Sequence, residues 1–285
     1  MKSALVSIAL ALLAPSLFAV EPLQEKVDIL NLMKSGAVQY YTNPKSDMHD
    51  DPKDVWVLQP DGTLHISGRA YGYVATKDAY RDYHLVFEYK WGEKTWGRRE
   101  NAARDNGLLI HARGPDGSYG GTYIPSVEAQ VIEGGTGDIL VLSARLADGT
   151  ELTTRVSSEV TLDANKQRIW TKGTPRQVVT KGRINWAKRD VAWVDKKGFR
   201  GRDDVEKPVG EWNRYEVIAQ GDTLRYILNG VLVNEAFAVS PSEGRVLVQS
   251  EGAEIFVRRC ELWPLGQLEH EGPSTASTSP NPTAH

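Results

Sequence analysis

The chain has 285 residues, and its 34 Lys and Arg against 37 Asp and Glu leave a formal charge of −3. With 40% apolar and 25% charged residues the composition is globular, and the near-neutral balance argues against nucleic acid as a partner, because phosphate contacts require a basic excess. The single cysteine, Cys260, excludes an intramolecular disulfide and a cysteine-based metal site, so a hydrophobic core must hold the fold alone.

Lys2 is followed by an apolar run from Ala4 to Ala14, then Pro15 and Ser16, then Leu17-Phe18-Ala19. A positive start, a short apolar stretch and a small exit residue predict a secretory signal peptide over residues 1–19. The run falls short of the about 20 residues needed to span a bilayer. The mature protein is expected to begin near Val20, to be exported to the periplasm or beyond, and to carry no transmembrane segment. Helical periodicity is weak, with one fair candidate at Val27 to Gly36.

Period-two alternation then takes over. In Tyr83 to Trp91 the odd positions are all apolar, and in Val127 to Val131 apolar and polar residues alternate again. Tyr215-Glu216-Val217, Leu224 to Leu228 and Gly244 to Ser250 follow the same pattern. These predict half-buried strands of antiparallel sheets. Between them stand turn signals: Pro60-Asp61-Gly62, Gly114-Pro115-Asp116-Gly117, Asp148-Gly149, Gln220-Gly221-Asp222 and Asn229-Gly230, the last the strongest hairpin signal in the chain. Many short strands separated by turns predict an all-β sandwich or barrel. Residues 20–266 make one domain, and the polar Ser, Thr and Pro-rich stretch 267–285 is expected to be a disordered tail.

Lys166 to Arg202 departs from the pattern, with twelve Lys or Arg, two acidic residues and Trp170, Trp186 and Trp193. It reads either as a solvated excursion or as a loop folded over a binding face, with Trp as platform and Arg as donor.

The stretch Asn106 to Asp138 is the richest in chemistry. Leu109, His111 and Arg113 share one face of a predicted strand; Glu128 and Gln130 share one face of another. On a common sheet these would gather an imidazole, a guanidinium, a carboxylate and a carboxamide. Glu88 likewise stands opposite an apolar face. Neighbouring carboxylates can divide acid and base roles, since one raises the proton affinity of the other. Glu128 and Gln130 could equally be the solvent side of an ordinary strand, and His111 a structural histidine. Gly134-Gly135-Thr136-Gly137 lacks the Lys-Ser or Lys-Thr of a phosphate loop, and neither a zinc-ligand histidine pair nor a Gly-x-Ser-x-Gly elbow occurs.

Several landmarks in order resemble the 3-keto-disaccharide hydrolase domain family, found in secreted bacterial proteins. They include Trp56, Asp61-Gly62, Asn106-Gly107, His111, Gly114-Pro115-Asp116-Gly117 and Pro125-Ser126-Val127-Glu128-Ala129-Gln130. Gly137-Asp138, Glu206 to Asn213, Leu228-Asn229-Gly230 and Leu247 to Ile255 continue the series. The resemblance implies a concanavalin A-like jelly roll of two antiparallel sheets, with sugar bound on the concave face. In that clan glucanases carry Glu-x-Asp-x-x-Glu; here the stretch is Glu128-x-Gln130-x-x-Glu133. Gln in place of Asp, and Glu133 on the opposite parity, argue against a retaining double displacement, whose two carboxyls stand about 5.5 Å apart.

The resemblance implies instead a glycoside-cleaving enzyme acting on a sugar oxidised at C3. It makes Glu128 the general base or acid with His111 as catalytic partner. Gln130 and Gln249 would orient sugar hydroxyls, with Glu88, Arg113, Asp138 and Glu251 as further substrate-binding candidates. No cofactor is expected; a structural calcium is compatible with the clan. The rival functions are a non-catalytic carbohydrate-binding module, marked by an exposed aromatic platform, and a glycosidase of unoxidised glycans.

Overall fold

The computed structural model describes residues 20–268. The expected signal peptide at 1–19, and all but the first two residues of the expected tail at 267–285, lie outside the described residues. Two large antiparallel sheets dominate, one of eleven strands and one of seven. The expected jelly-roll sandwich is therefore what the chain forms. Helix is confined to short pieces. Ile29–Lys34 lies inside the predicted helical stretch, and Asp28 caps it by accepting from the Leu30 and Asn31 amides.

In the seven-stranded sheet the order is 182–184, 139–142, 126–132, 105–112, 245–251, 71–76, 38–42. Arg245–Glu251, late in the sequence, thus inserts between Asp105–Ala112 and Tyr71–Thr76. The larger sheet does the same: Ala253–Pro264 lies between Tyr83–Thr95 and Leu64–Ile66. These long-range insertions place residues distant in sequence side by side. The Asn229-Gly230 signal is realised as a tight turn between strands 223–228 and 231–240, with both residues at positive φ (49° and 82°).

Alternation decides which side chains fill the sandwich. From the smaller sheet Val74, Leu108, Ile110, Val127, Ala129, Val131 and Val248 point inward. From the larger, Tyr83, Leu85, Phe87, Tyr89 and Trp91 meet them, as the odd-position pattern predicts. Each Val, Leu, Ile or Phe among them contributes roughly 1.5–3 kcal/mol on leaving water. Cys260 is fully buried in this core as a free thiol.

The outer face of the seven-stranded sheet carries a second, smaller apolar cluster that includes Tyr73, Ala75, Leu109, Ala112 and Leu247. Among these residues stand the polar groups of interest.

Candidate functional site

The register of the smaller sheet lays the outer face out as a lattice. Leu109 pairs with Glu128 and with Leu247, and Glu128 pairs with Leu140. One step along, Gly107 pairs with Gln130, and Gln249 pairs with Tyr73. A further step brings Asp105 opposite Ile132, and Glu251 opposite Tyr71. The 245–251 register continues so that Gln249 stands level with Gly107, and Glu251 with Asp105. Three strands therefore deliver Glu128, Gln130, Gln249, Glu251 and Asp105 to one patch.

Gly107 is the floor of that patch. A Cβ built on it would lie 2.5 Å from Glu128 Oε1 and 2.6 Å from Gln249 Oε1. The two side chains therefore lean toward each other over a residue that has none. The Gly107 backbone is fixed from below: its amide donates to Asn106 Oδ1 at 2.8 Å, while Asn106 Nδ2 donates to the Gln249 carbonyl at 2.8 Å. Gln249 Oε1 is buried without a hydrogen-bond partner, an acceptor left open beside a carboxyl group.

The electrostatics favour protons here. Burial, then the neighbouring Glu251 and Asp105, hold the Glu128 carboxyl well above the usual carboxylate range; Arg183 and Gln249 act in the other direction. Burial also raises Asp105, with Glu251 adding and Arg99 opposing. Glu251 is raised by burial against the pull of Arg99 and a hydrogen bond from Tyr123, whose hydroxyl donates to Glu251 Oε2 at 2.9 Å. Asp105 accepts from Gln130 Nε2 and from Arg99.

Glu128 is only 4% exposed. Tyr119 and Tyr123 from loop 113–125 pack on the outer-face cluster. Asp116 fastens this loop by accepting from the Tyr73 hydroxyl and from Gln39 Nε2, both at 2.6 Å. Tyr41 donates to the Gly121 carbonyl at 3.0 Å. Of the tyrosines on this face, Tyr41, Tyr73 and Tyr123 are anchored through their hydroxyls, and Trp170 and Trp186 are buried. The excursion at 166–202 uses these two tryptophans as packing, and its strands 168–170 and 176–179 pair with 155–162 of the larger sheet. Its strand Gly182–Ile184 extends the smaller sheet. Asp138, fully buried, accepts from Arg183 (2.6 Å), from Arg189 and from the Trp186 amide (2.8 Å).

Four expected site residues thus share the patch with Glu128 or border it: Gln130, Gln249, Glu251 and Asp138. Three do not join them. His111 is corrected most clearly. Arg245 pairs with Ala112 but Leu247 with Leu109, so the 105–112 strand holds one extra residue. That bulge falls at His111, with φ of 53°, and resets the alternation. The imidazole turns into the sandwich, edge-on to Tyr83 at 5.9 Å, and Nδ1 donates to the Pro241 carbonyl at 3.2 Å. Burial lowers its pKa to about 4. Arg113 follows the bulge, is exposed, and donates to the Thr153 carbonyl at 2.9 Å.

Glu88 belongs to the other sheet. Its strand sends odd positions into the core, so Glu88 faces away from the sandwich and accepts from Arg214, Arg258 and Arg259 at 2.7–3.3 Å. Glu133 also turns aside, pairing with Arg104 at 2.7 Å. The glucanase-type trio is therefore not assembled. Asp105, Arg99, Tyr123 and Arg183 were missed. Asp105 shares parity with Gly107 and Leu109, which was a usable signal; Arg99 has no local one. Among the described residues no three His, Cys, Asp or Glu side chains are grouped to hold a metal ion. No described helix is long and apolar enough to cross a membrane.

Residues 42–262 match the profile of the family described as 3-keto-alpha-glucoside-1,2-lyase-like domain. None of the curated proteins matches the chain by sequence. Among solved structures, a Parabacteroides distasonis protein whose glycosyl-hydrolase assignment is provisional is 18% identical, with TM-score 0.47, covering 85% of this chain and 100% of its own. The Bacillus licheniformis beta-glucanase is 10% identical, with TM-score 0.42, covering 84% and 97%. A carbohydrate-binding module from Bacillus subtilis is 10% identical, with TM-score 0.41, covering 79% and 94%.

Proposed function

This chain belongs to the 3-keto-alpha-glucoside-1,2-lyase-like domain family, and from that premise we propose that it cleaves glycosidic bonds of 3-keto-glycosides at the Glu128–Gln249 patch. A ketone at C3 acidifies the C2 proton. A base removes that proton to give an enolate. The enolate collapses to a C1–C2 double bond as the C1–oxygen bond breaks, and the leaving oxygen takes a proton. Water then adds across the double bond, and the sum is hydrolysis. This route needs one good base, one proton source and hydrogen-bond donors for the enolate oxygen.

The observation that carries the reading is the convergence over Gly107. There the Glu128 carboxyl has a raised proton affinity and stands beside an open acceptor, Gln249 Oε1. A carboxylate with raised pKa is the stronger base once ionised. In this reading Glu128 takes the C2 proton. The second proton-transfer group is Glu251 with its Tyr123 hydroxyl partner, replacing His111, which faces the core. Gln249 and Gln130 orient hydroxyls of the sugar. Glu128 is nearly covered, so substrate entry requires the 113–125 loop to yield. The signal expected at residues 1–19 would place this chemistry in the periplasm or outside the cell. N-terminal sequencing of exported material then finds a start near Val20.

The test is turnover of a glucoside beside its 3-keto derivative. The expected result is turnover of the 3-keto sugar alone, falling at least about 100-fold in Glu128→Gln. Equal activity on the unoxidised glucoside marks an ordinary glycosidase. Binding without turnover of either marks a carbohydrate-binding module. Unchanged turnover in Glu128→Gln removes this residue from the chemistry.

A further inference from the structure

The basic excursion builds a second feature beside the patch. Lys166, Arg168, Arg183, Asn185, Arg189 and Trp193 line a cleft of about 430 Å³. Four cationic side chains meet here. Arg183 and Arg189 pair with Asp138, which is fully buried and also accepts from a backbone amide. Among the described residues no acidic side chain lies within ion-pair distance of Lys166 or Arg168. Arg168 is half-buried and lines the cleft without an ion-pair partner. Burial, with Arg183 adding, also works against the charge on Arg189.

The cleft neighbours the Glu128 patch through Arg183. Arg183 pairs with Leu140, and Leu140 pairs with Glu128, so Arg183 stands two strand spacings from Glu128, about 10 Å. Its charge already lowers the proton affinity of Glu128 and Asp105. Trp193 supplies the remaining element. Arg189 stacks 4.1 Å from its ring centroid, Phe199 packs edge-on at 6.4 Å, and the ring is half-buried, leaving surface toward the cleft. A flat indole beside guanidinium groups suits a sugar ring that carries an oxyanion.

We infer that this cleft is a subsite for an acidic sugar, one bearing a carboxylate or sulfate, with Arg168 and Lys166 holding the anion and Trp193 under the ring. This rests on the reading of the Glu128 patch as the place of bond cleavage, and it gives the substrate across the scissile bond a charge. Anion binding supplies the counter-charge that Arg168 lacks. It also gives a role to four of the twelve cations in the 166–202 run.

Calorimetric titration of the full chain tests it with three probes: a glucosyl-glucuronate disaccharide, a 6-sulfated disaccharide and the neutral disaccharide. At least one charged probe is expected to bind about 10-fold or more tighter than the neutral one near 0.1 M salt. That ratio is expected to shrink below about threefold in Arg168→Gln and to fall as salt rises. The two charged arms tell carboxylate from sulfate recognition. Equal affinity for all three probes overturns the inference, as does a preference that survives in the Lys166→Gln/Arg168→Gln double variant. Thermal melting of each variant confirms folding. Glu128→Gln separates the two readings. If it keeps full turnover while the charge preference stands, the catalytic reading fails and the subsite remains. If it is inactive while charged and neutral probes bind alike, the subsite alone fails.

Discussion

Gly107→Ala places a single methyl group in the centre of the candidate site. The added Cβ would stand 2.5 Å from Glu128 Oε1 and 2.6 Å from Gln249 Oε1. Ordinary contact needs nearly 3.4 Å, so the two side-chain ends must withdraw by somewhat under 1 Å. Both are ends of flexible side chains, so they swing while the backbone stays. Gly107 lies within strand Asp105–Ala112 and its φ is not positive, so alanine suits its backbone and removes the entropic weakness of a strand glycine. The expected effect on stability is within about 1 kcal/mol. Misplacing reacting groups by this amount costs about 100-fold in rate, near 3 kcal/mol of transition-state stabilisation. The assay is kcat/KM on a 3-keto-glucoside together with a thermal melt. A folded variant whose kcat/KM stays within about threefold of wild type would refute the reasoning, because the carboxyl and carboxamide would then not be the groups that meet substrate.

Two buried groups give stability opposite pH dependences. His111 has a folded pKa of about 4 against an ordinary 6.5. The unfolded chain therefore takes the proton first, and stability is lost as pH falls from 6.5 through 4, by up to about 3 kcal/mol. NMR titration is expected to find this imidazole neutral down to about pH 4; protonation near 6.5 would show that it is not buried. Glu206 is buried and accepts from Tyr89 (2.5 Å), Trp91 (2.9 Å) and Thr136 (3.0 Å), yet burial raises its pKa to about 7 from 4.5. Here the folded state holds the proton, so stability falls as pH rises from 4.5 through 7, again by up to about 3 kcal/mol. Glu206→Gln keeps the acceptor oxygen and is expected to remove that fall; denaturant unfolding from pH 4 to 8 reads the slope, and an unchanged slope would contradict it. Arg104→Met strands the buried Glu133 carboxylate, whose partner lies at 2.7 Å, and is expected to cost about 3–5 kcal/mol in the same measurement. A loss under about 1 kcal/mol would show that water replaces the guanidinium.

The all-β class, the core faces of the main strands and the Asn229-Gly230 turn are legible in the residues alone. These follow from alternation and local turn chemistry, which act over a few residues. The same alternation placed Glu128 and Gln130 on the polar side of their strand. It failed at His111, where one extra residue inverts the face; a bulge is set by how strand 105–112 must pair with 245–251, a partner more than a hundred residues away. It also could not say that Glu88 belongs to the opposite sheet, since parity fixes a face but not which sheet carries it. That Gln249, Glu251 and Asp105 stand beside Glu128 over Gly107 emerges only from how the strands assemble. Strand insertion in a jelly roll is a long-range choice, made by the packing of two sheets whose neighbours in space are strangers in sequence. The basic excursion shows the same division. Its charge was legible in the residues, but the cleft beside the patch exists only because Gly182–Ile184 joins the edge of that sheet.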